Sequence, residues 1–276
     1  MYAWIERKVA QYKYSAKRGT CFDVAPDKDF TGSTVVDHSA WDSLLKEKVQ
    51  RNEIDGIELN VIDYKSLSED ERFSAYRNTL SSVSLGDLSP NEKLCLYINA
   101  YNFLCIDKII SSFKEQGKLP KSILELKKSG VEVWDQPAGI VGGETLTLGQ
   151  LEHDILRSKW NEPRIHACIV CASVSCPDLR KEAFMVDRLN EQMNDQVSQW
   201  LLNEKKGSAV RGKTIHLSRI FNWFHKDFVD ADPEGTAHWI TTFLPEDNPR
   251  SKVLKSKHST KYFSYNWNLN VSNGTM

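Results

Sequence analysis

Apolar positions along the chain recur at helical spacing in some stretches and at strand spacing in others. Trp41, Leu44, Leu45 and Val49 fit one face of an amphipathic helix, and 64–77 reads as a loop with a short helix. The clearest helix begins at Ser89-Pro90-Asn91-Glu92, where Ser caps, Pro suits the first turn and Glu closes a capping box. It runs through Leu94, Tyr97, Ile98, Tyr101, Leu104 and Ile109 towards Gly117, and is apolar almost all round, as a buried helix is. Residues 140–146 read as a short hairpin, and Thr147-Leu148-Gly149-Gln150 as a second capping box opening a helix. Residues 164–171 form a nearly continuous apolar run, expected of a strand buried on both faces. A small-residue loop, 172–177, then leads into a helix expected from about Asp178 to Asn203. Thr214 to Leu217 suggests another strand, and Ser218 opens a helix containing Ile220, Phe221, Trp223, Phe224 and Phe228.

Helix and strand signals intermix throughout, so the expected class is α+β (mixed α/β), a helix-rich single domain around a small sheet. Residues 1–36 read as an irregular N-terminal arm or linker, 37–270 as one globular domain, and 271–276 as a tail.

Composition narrows the function classes. With 40% hydrophobic and 26% charged residues, the 276-residue chain can build a sizeable core. Its 36 basic and 37 acidic side chains leave a net charge of −1, without the basic excess by which nucleic-acid binders neutralise phosphates. No stretch approaches the roughly 20 apolar residues of a membrane span, and charges arrive by Glu6, Arg7 and Lys8 before a secretory core could form. Neither nucleic acid nor membrane is therefore expected as a partner. Cys21, Cys95, Cys105, Cys168, Cys171 and Cys176 do not read as a disulfide framework in a chain of this length, and a cytoplasmic location is the expectation.

The chemistry-bearing residues concentrate between Asn99 and Pro177. Cys95, Asn99 and Asn102 share a helix face, where a buried amide needs specific hydrogen-bond partners. Glu152-His153 supplies a carboxyl and an imidazole able to act as a base near neutrality. Arg157 and Arg164 flank the 160–163 turn and could bind a carboxylate or hold the loop through a salt bridge, and His166 lies in the apolar run. Cys168 and Cys171 form a C-x-x-C whose thiols would face opposite sides of a strand, poorly placed to share zinc. Cys176 follows Ser173 and Ser175 and precedes Pro177; at the N-terminus of a helix its thiolate would be favoured and its pKa lowered below about 8.5.

These residues resemble a known family. The motifs Tyr97-Ile98-Asn99-Ala100-Tyr101-Asn102, Leu151-Glu152-His153-Asp154-Ile155-Leu156-Arg157, Pro163-Arg164-Ile165-His166-Ala167 and Cys171-Ala172-Ser173-Val174-Ser175-Cys176-Pro177 resemble the domain-of-unknown-function family numbered 547. Asp37-His38-Ser39-Ala40-Trp41, the 223–228 segment and the terminal 265–270 motif extend the resemblance over about 37–270. In that terminal motif the family pattern carries Asp where this chain has Asn266. The resemblance implies an intracellular domain, sometimes joined to thiol-redox or signalling modules.

Two functional readings stand side by side. In the first, Cys176 is a nucleophile, His153 its base and Asn99 an orienting group, with Asn102, Glu152, Arg164, His166, Ser173 and Ser175 binding or orienting substrate. That would be thiol-dependent acyl transfer or hydrolysis at an amide or thioester bond of a small molecule or peptide. The order Asn, His, Cys would make it a permuted relative of papain-like or transglutaminase-like enzymes, by geometry only. In the second, the same residues form a structural hydrogen-bond network in a noncatalytic protein-interaction module. Neither calls for a cofactor or metal, although His153, His166 and Cys176 are ligand types that a metal could use.

Overall fold

The computed structural model describes residues 34–272, so the expectations for the N-terminal arm fall almost wholly outside it. Helix α1 (Ser39–Lys48) leads into an antiparallel hairpin, β1 (Val49–Ile54) and β2 (Ile57–Ile62). Its turn is Asp55-Gly56, both with positive φ (54° and 74°), the pairing a two-residue turn of this type requires. Helices α2 (Tyr64–Ser68) and α3 (Glu71–Ser82) follow, each capped by an Asp side chain.

The centre of the molecule is α4 (Pro90–Gln116). Ser89 Oγ accepts the Glu92 N–H at 3.1 Å, and Gly117 ends the helix in the left-handed conformation (φ 71°), its N–H reaching Phe113 O. Every residue from Leu94 to Asp107 is buried, which is why this helix lacks a polar face. Trp41, Phe73, Tyr76 and Phe103 interlock α1, α3 and α4 as stacked and edge-on rings 4.4–5.8 Å apart.

Strands β3 (Pro137–Val141) and β4 (Glu144–Thr147) form the second hairpin. The capping box at its exit is reciprocal: Thr147 N–H donates to Gln150 Oε1 at 2.9 Å, and Gln150 N–H to Thr147 Oγ1 at 3.0 Å. The helix it opens is a π-helix, Gln150–Leu156, continuing into α5 (Arg157–Lys159).

Beyond this point the sequence expectation needs two corrections. The run expected as a strand is helical at α6 (Ile165–Cys168), with Ile169 extended and Val170 and Cys171 in no regular element. The helix expected from Asp178 begins at α7 (Leu189–Leu202), leaving residues 169–185 irregular.

A three-stranded sheet follows: β5 (Ser208–Arg211) antiparallel to β6 (Thr214–Leu217), which pairs in parallel with β7 (Ser259–Tyr262). Between β6 and β7 lie α8 (Ile220–Trp223), α9 (His225–Ala231), α10 (Thr236–Thr241) and α11 (Pro249–Leu254). After β7 the chain crosses the front of the molecule, with Ser173 bridging Leu269, Val174 N–H reaching Asn268 O, and Ile62 bridging Val271. The class is α+β, its strands divided among three small sheets. Among the described residues no helix is long and apolar enough to cross a membrane.

Candidate functional site

The return of the C-terminal segment over the irregular loop 169–177 encloses a cavity of about 60 Å³. Its wall takes Tyr101 from α4, Glu152 and His153 from the π-helix, His166 from α6, Cys171 and Cys176 from the loop, Phe224 from the α8–α9 junction, and Tyr265 and Trp267 from the terminal segment.

Two sulfurs stand at the loop side. Cys171 Sγ lies 3.3 Å from Cys176 Sγ, 3.2 Å from Ser173 Oγ and 3.3 Å from Tyr265 Oη. Cys176 Sγ accepts the backbone N–H of Cys171 at 3.2 Å, because Ala172, with φ 57°, curls the loop back on itself. The pair is asymmetric. The hydrogen bond with Cys176 outweighs burial and, with Ser173 and Tyr265, brings the Cys171 thiol down to about 7. Burial and the neighbouring Cys171 push Cys176 up, and the Cys171 amide does not offset them. Cys171 is the half-buried member of the pair, while Cys176 is buried.

An ionic network holds the two histidines of the lining. Arg157 donates through Nε and Nη2 to both carboxylate oxygens of Asp227, at 2.6 and 2.9 Å, and through Nη1 to His153 Nδ1 at 2.8 Å. Since guanidinium only donates, Nδ1 of His153 is an acceptor, and the proton of the neutral ring sits on Nε2. His166 has the reverse arrangement: its Nε2 lies 2.8 Å from Asp227 Oδ2, so it donates there and Nδ1 keeps the lone pair. Burial lowers the His166 pKa against the pull of Asp227 and keeps the ring neutral near pH 7. Burial raises Asp227, but His166 and Arg157 together hold its carboxyl far below the usual range. Phe224 stacks on His166 with centroids 4.1 Å apart and lies 5.0 Å beneath the Arg157 guanidinium.

Glu152 completes the set. Burial raises its carboxyl to about 7, Arg157 lowers it, and the charge of Cys171 adds to the rise. Tyr101 Oη donates to its Oε2 at 3.3 Å and in turn receives Trp134 Nε1–H.

Of the residues singled out in the sequence, Glu152, His153, His166 and Cys176 meet in this cavity, and Ser173 stands behind Cys171. Like Ser173, four more do not line it. Asn99 clamps the backbone of Phe184 through both amide atoms, donating to its O at 2.8 Å and accepting from its N–H at 3.0 Å. Asn102 does the same for the loop, donating to Cys168 O and accepting from Val170 N–H, both at 2.9 Å. Arg164 is buried against Glu162, Asn190 and Asn194. Ser175 Oγ accepts the Asn266 N–H at 2.8 Å, tying down the terminal segment. Asn266 turns its amide to Asp55 on the first hairpin.

Because no helix starts at Pro177, the dipole argument for Cys176 falls away. Cys171 lies in the loop rather than in the strand that the sequence suggests, and Arg157, expected to bind a carboxylate or to form a salt bridge, pairs with Asp227 and reaches His153. Their side chains meet only through long-range folding, and the one local signal was the i,i+4 spacing of His153 and Arg157. Among the described residues no three His, Cys, Asp or Glu side chains are arranged to hold a metal ion, which removes the ligand set His153, His166 and Cys176.

The cavity is thus lined by a thiol pair, one member half-buried, and by two oppositely fixed histidines within an α+β domain. Residues 85–201 match the family model described as Protein of unknown function, DUF547, which establishes the resemblance over that segment. No curated protein and no solved structure matches the chain.

Proposed function

We propose that the cavity is a thiol active site for acyl transfer or hydrolysis, with Cys171 rather than Cys176 as nucleophile. One observation carries the reading: Cys171 Sγ lines the cavity among three hydrogen-bonding groups within 3.3 Å, and His166, whose Nε2 is held by Asp227, lines the same cavity. This is the nucleophile, base and orienting carboxylate logic of acyl-transfer enzymes. His166 Nδ1 takes the Cys171 proton, and the thiolate attacks the carbonyl carbon, forming the C–S bond. The C–X bond then breaks, and His166 returns the proton to the departing amine or thiol. Water attacks the acyl-Cys171 thioester, His166 takes its proton, and the acid leaves as the thiol re-forms. A cavity of about 60 Å³ holds an acyl group of only a few heavy atoms, so the substrate class is a short-chain amide or thioester whose leaving group projects outward.

The test combines labelling and trapping. Iodoacetamide should react fastest at Cys171, with a midpoint near pH 7. A short-chain aryl thioester should leave its acyl group on Cys171, located by peptide mass spectrometry. Cys171→Ser should abolish turnover, and His166→Gln should slow acylation. Acyl capture at another residue, or full turnover by Cys171→Ser, would refute the proposal.

A further inference from the structure

We infer that Cys171 and Cys176 form a reversible oxidation site at which a hydroperoxide converts the two thiols to a disulfide. The loop is already folded for it. The sulfurs are 3.3 Å apart, Cys176 N–H is fixed to Ser173 O at 3.1 Å, and Cys171 N–H rests on Cys176 Sγ. Closing to the roughly 2.05 Å of a disulfide needs only about an ångström of side-chain movement. The remaining described cysteines are placed otherwise: Cys95 Sγ is bonded to Phe184 O at 2.8 Å, and Cys105 and Cys168 are buried. The cavity reaching Cys171 admits a molecule the size of hydrogen peroxide.

The chemistry balances. Cys171 thiolate attacks the terminal peroxide oxygen, the O–O bond breaks, and the alcohol or water leaves with the proton that the thiol gave up. The product is Cys171 sulfenic acid. Cys176 sulfur attacks that sulfur, the S–O bond breaks, and hydroxide departs as water with the Cys176 proton. The thiol pair is oxidised by two electrons and the peroxide is reduced; a dithiol restores the pair by exchange. Oxidation itself does not require the acyl-transfer reading. Its consequence, that the disulfide withdraws the nucleophile from substrate, rests on that reading.

The experiment uses the full chain, treated with stoichiometric hydrogen peroxide and then with iodoacetamide after denaturation. Fragment spectra of the peptide spanning 165–180 should show Cys171 linked to Cys176 and Cys168 alkylated, with dithiothreitol restoring both thiols. In Cys176→Ser, given a second equivalent of hydrogen peroxide, Cys171 should pass through the sulfenic acid to the sulfinic acid, which dithiothreitol does not reverse. The wild-type map decides the matter without the variant. Unmodified or sulfinic Cys171 beside free Cys176, or a link from Cys171 to any other cysteine, overturns the inference. A disulfide without acyl capture on Cys171 would sink only the acyl-transfer proposal; acyl capture without a disulfide would sink only this one.

Discussion

Glu152 is where burial and charge compete most openly. Its carboxyl ionises near 4.5 when exposed and near 7 in the fold, raised chiefly by burial. Between those values the folded chain holds more protons than the unfolded chain, so this residue lowers stability as pH rises through the window, and the full penalty is present above about 7. A shift of that size corresponds to about 3 kcal/mol. Glu152→Gln should therefore raise unfolding stability at pH 8 by up to roughly that amount and change it little at pH 4.5, as read from urea titrations. Equal effects at both values would show that the carboxyl is not held neutral by its surroundings. Because the Cys171 charge raises Glu152, reciprocity requires an ionised Glu152 to hinder the thiolate. The same substitution should move the Cys171 labelling midpoint downward.

At the scale of elements, α4 acts on the cavity without touching it through its amides. Asn102 satisfies one carbonyl and one N–H of the loop leading to Cys171. Asn102→Leu leaves both buried and unpaired, which should cost about 2–4 kcal/mol and loosen the loop, changing the Cys171 iodoacetamide rate at constant pH. Full stability with an unchanged rate would count against this role. That both amides of α4 must find partners was legible, since the helix is apolar all round and its caps are plain in Ser89, Glu92 and Gly117. Which partners they find was not. The run Arg164–Cys171 carries the hydrophobicity of a strand, yet Pro163 and the buried Arg164–Glu162 pair start a turn of helix, so tertiary contacts override the β-branched preference. The misreading hid Cys171, whose position depends on the left-handed Ala172. The Asp55-Gly56 turn of the first hairpin was visible as a sequence signal and went unread.

Across the whole molecule the cavity is completed by residues far from the family match. Arg157, His153 and His166 lie within 85–201, but the carboxylate that organises them, Asp227, lies beyond it, as do Phe224, Tyr265 and Trp267. Arg157 and Asp227 are almost fully buried, 1% and 2% exposed. Removing one partner strands a charge in a medium that cannot solvate it, at about 3–5 kcal/mol, whereas replacing both with apolar side chains can be nearly neutral. Asp227→Leu alone should destabilise the chain by about that amount and should shift the pH profile of Cys171 labelling, since Arg157 and His166 would both lose the carboxylate that holds them. Arg157→Met with Asp227→Leu should recover much of the stability but not the reactivity, because His166 no longer has a carboxylate to fix its donor nitrogen. Denaturant titrations of the two single variants and the double variant give the coupling energy directly. Additive losses would mean that the two side chains act independently, and the cavity would then lack the shared anchor that joins its two halves.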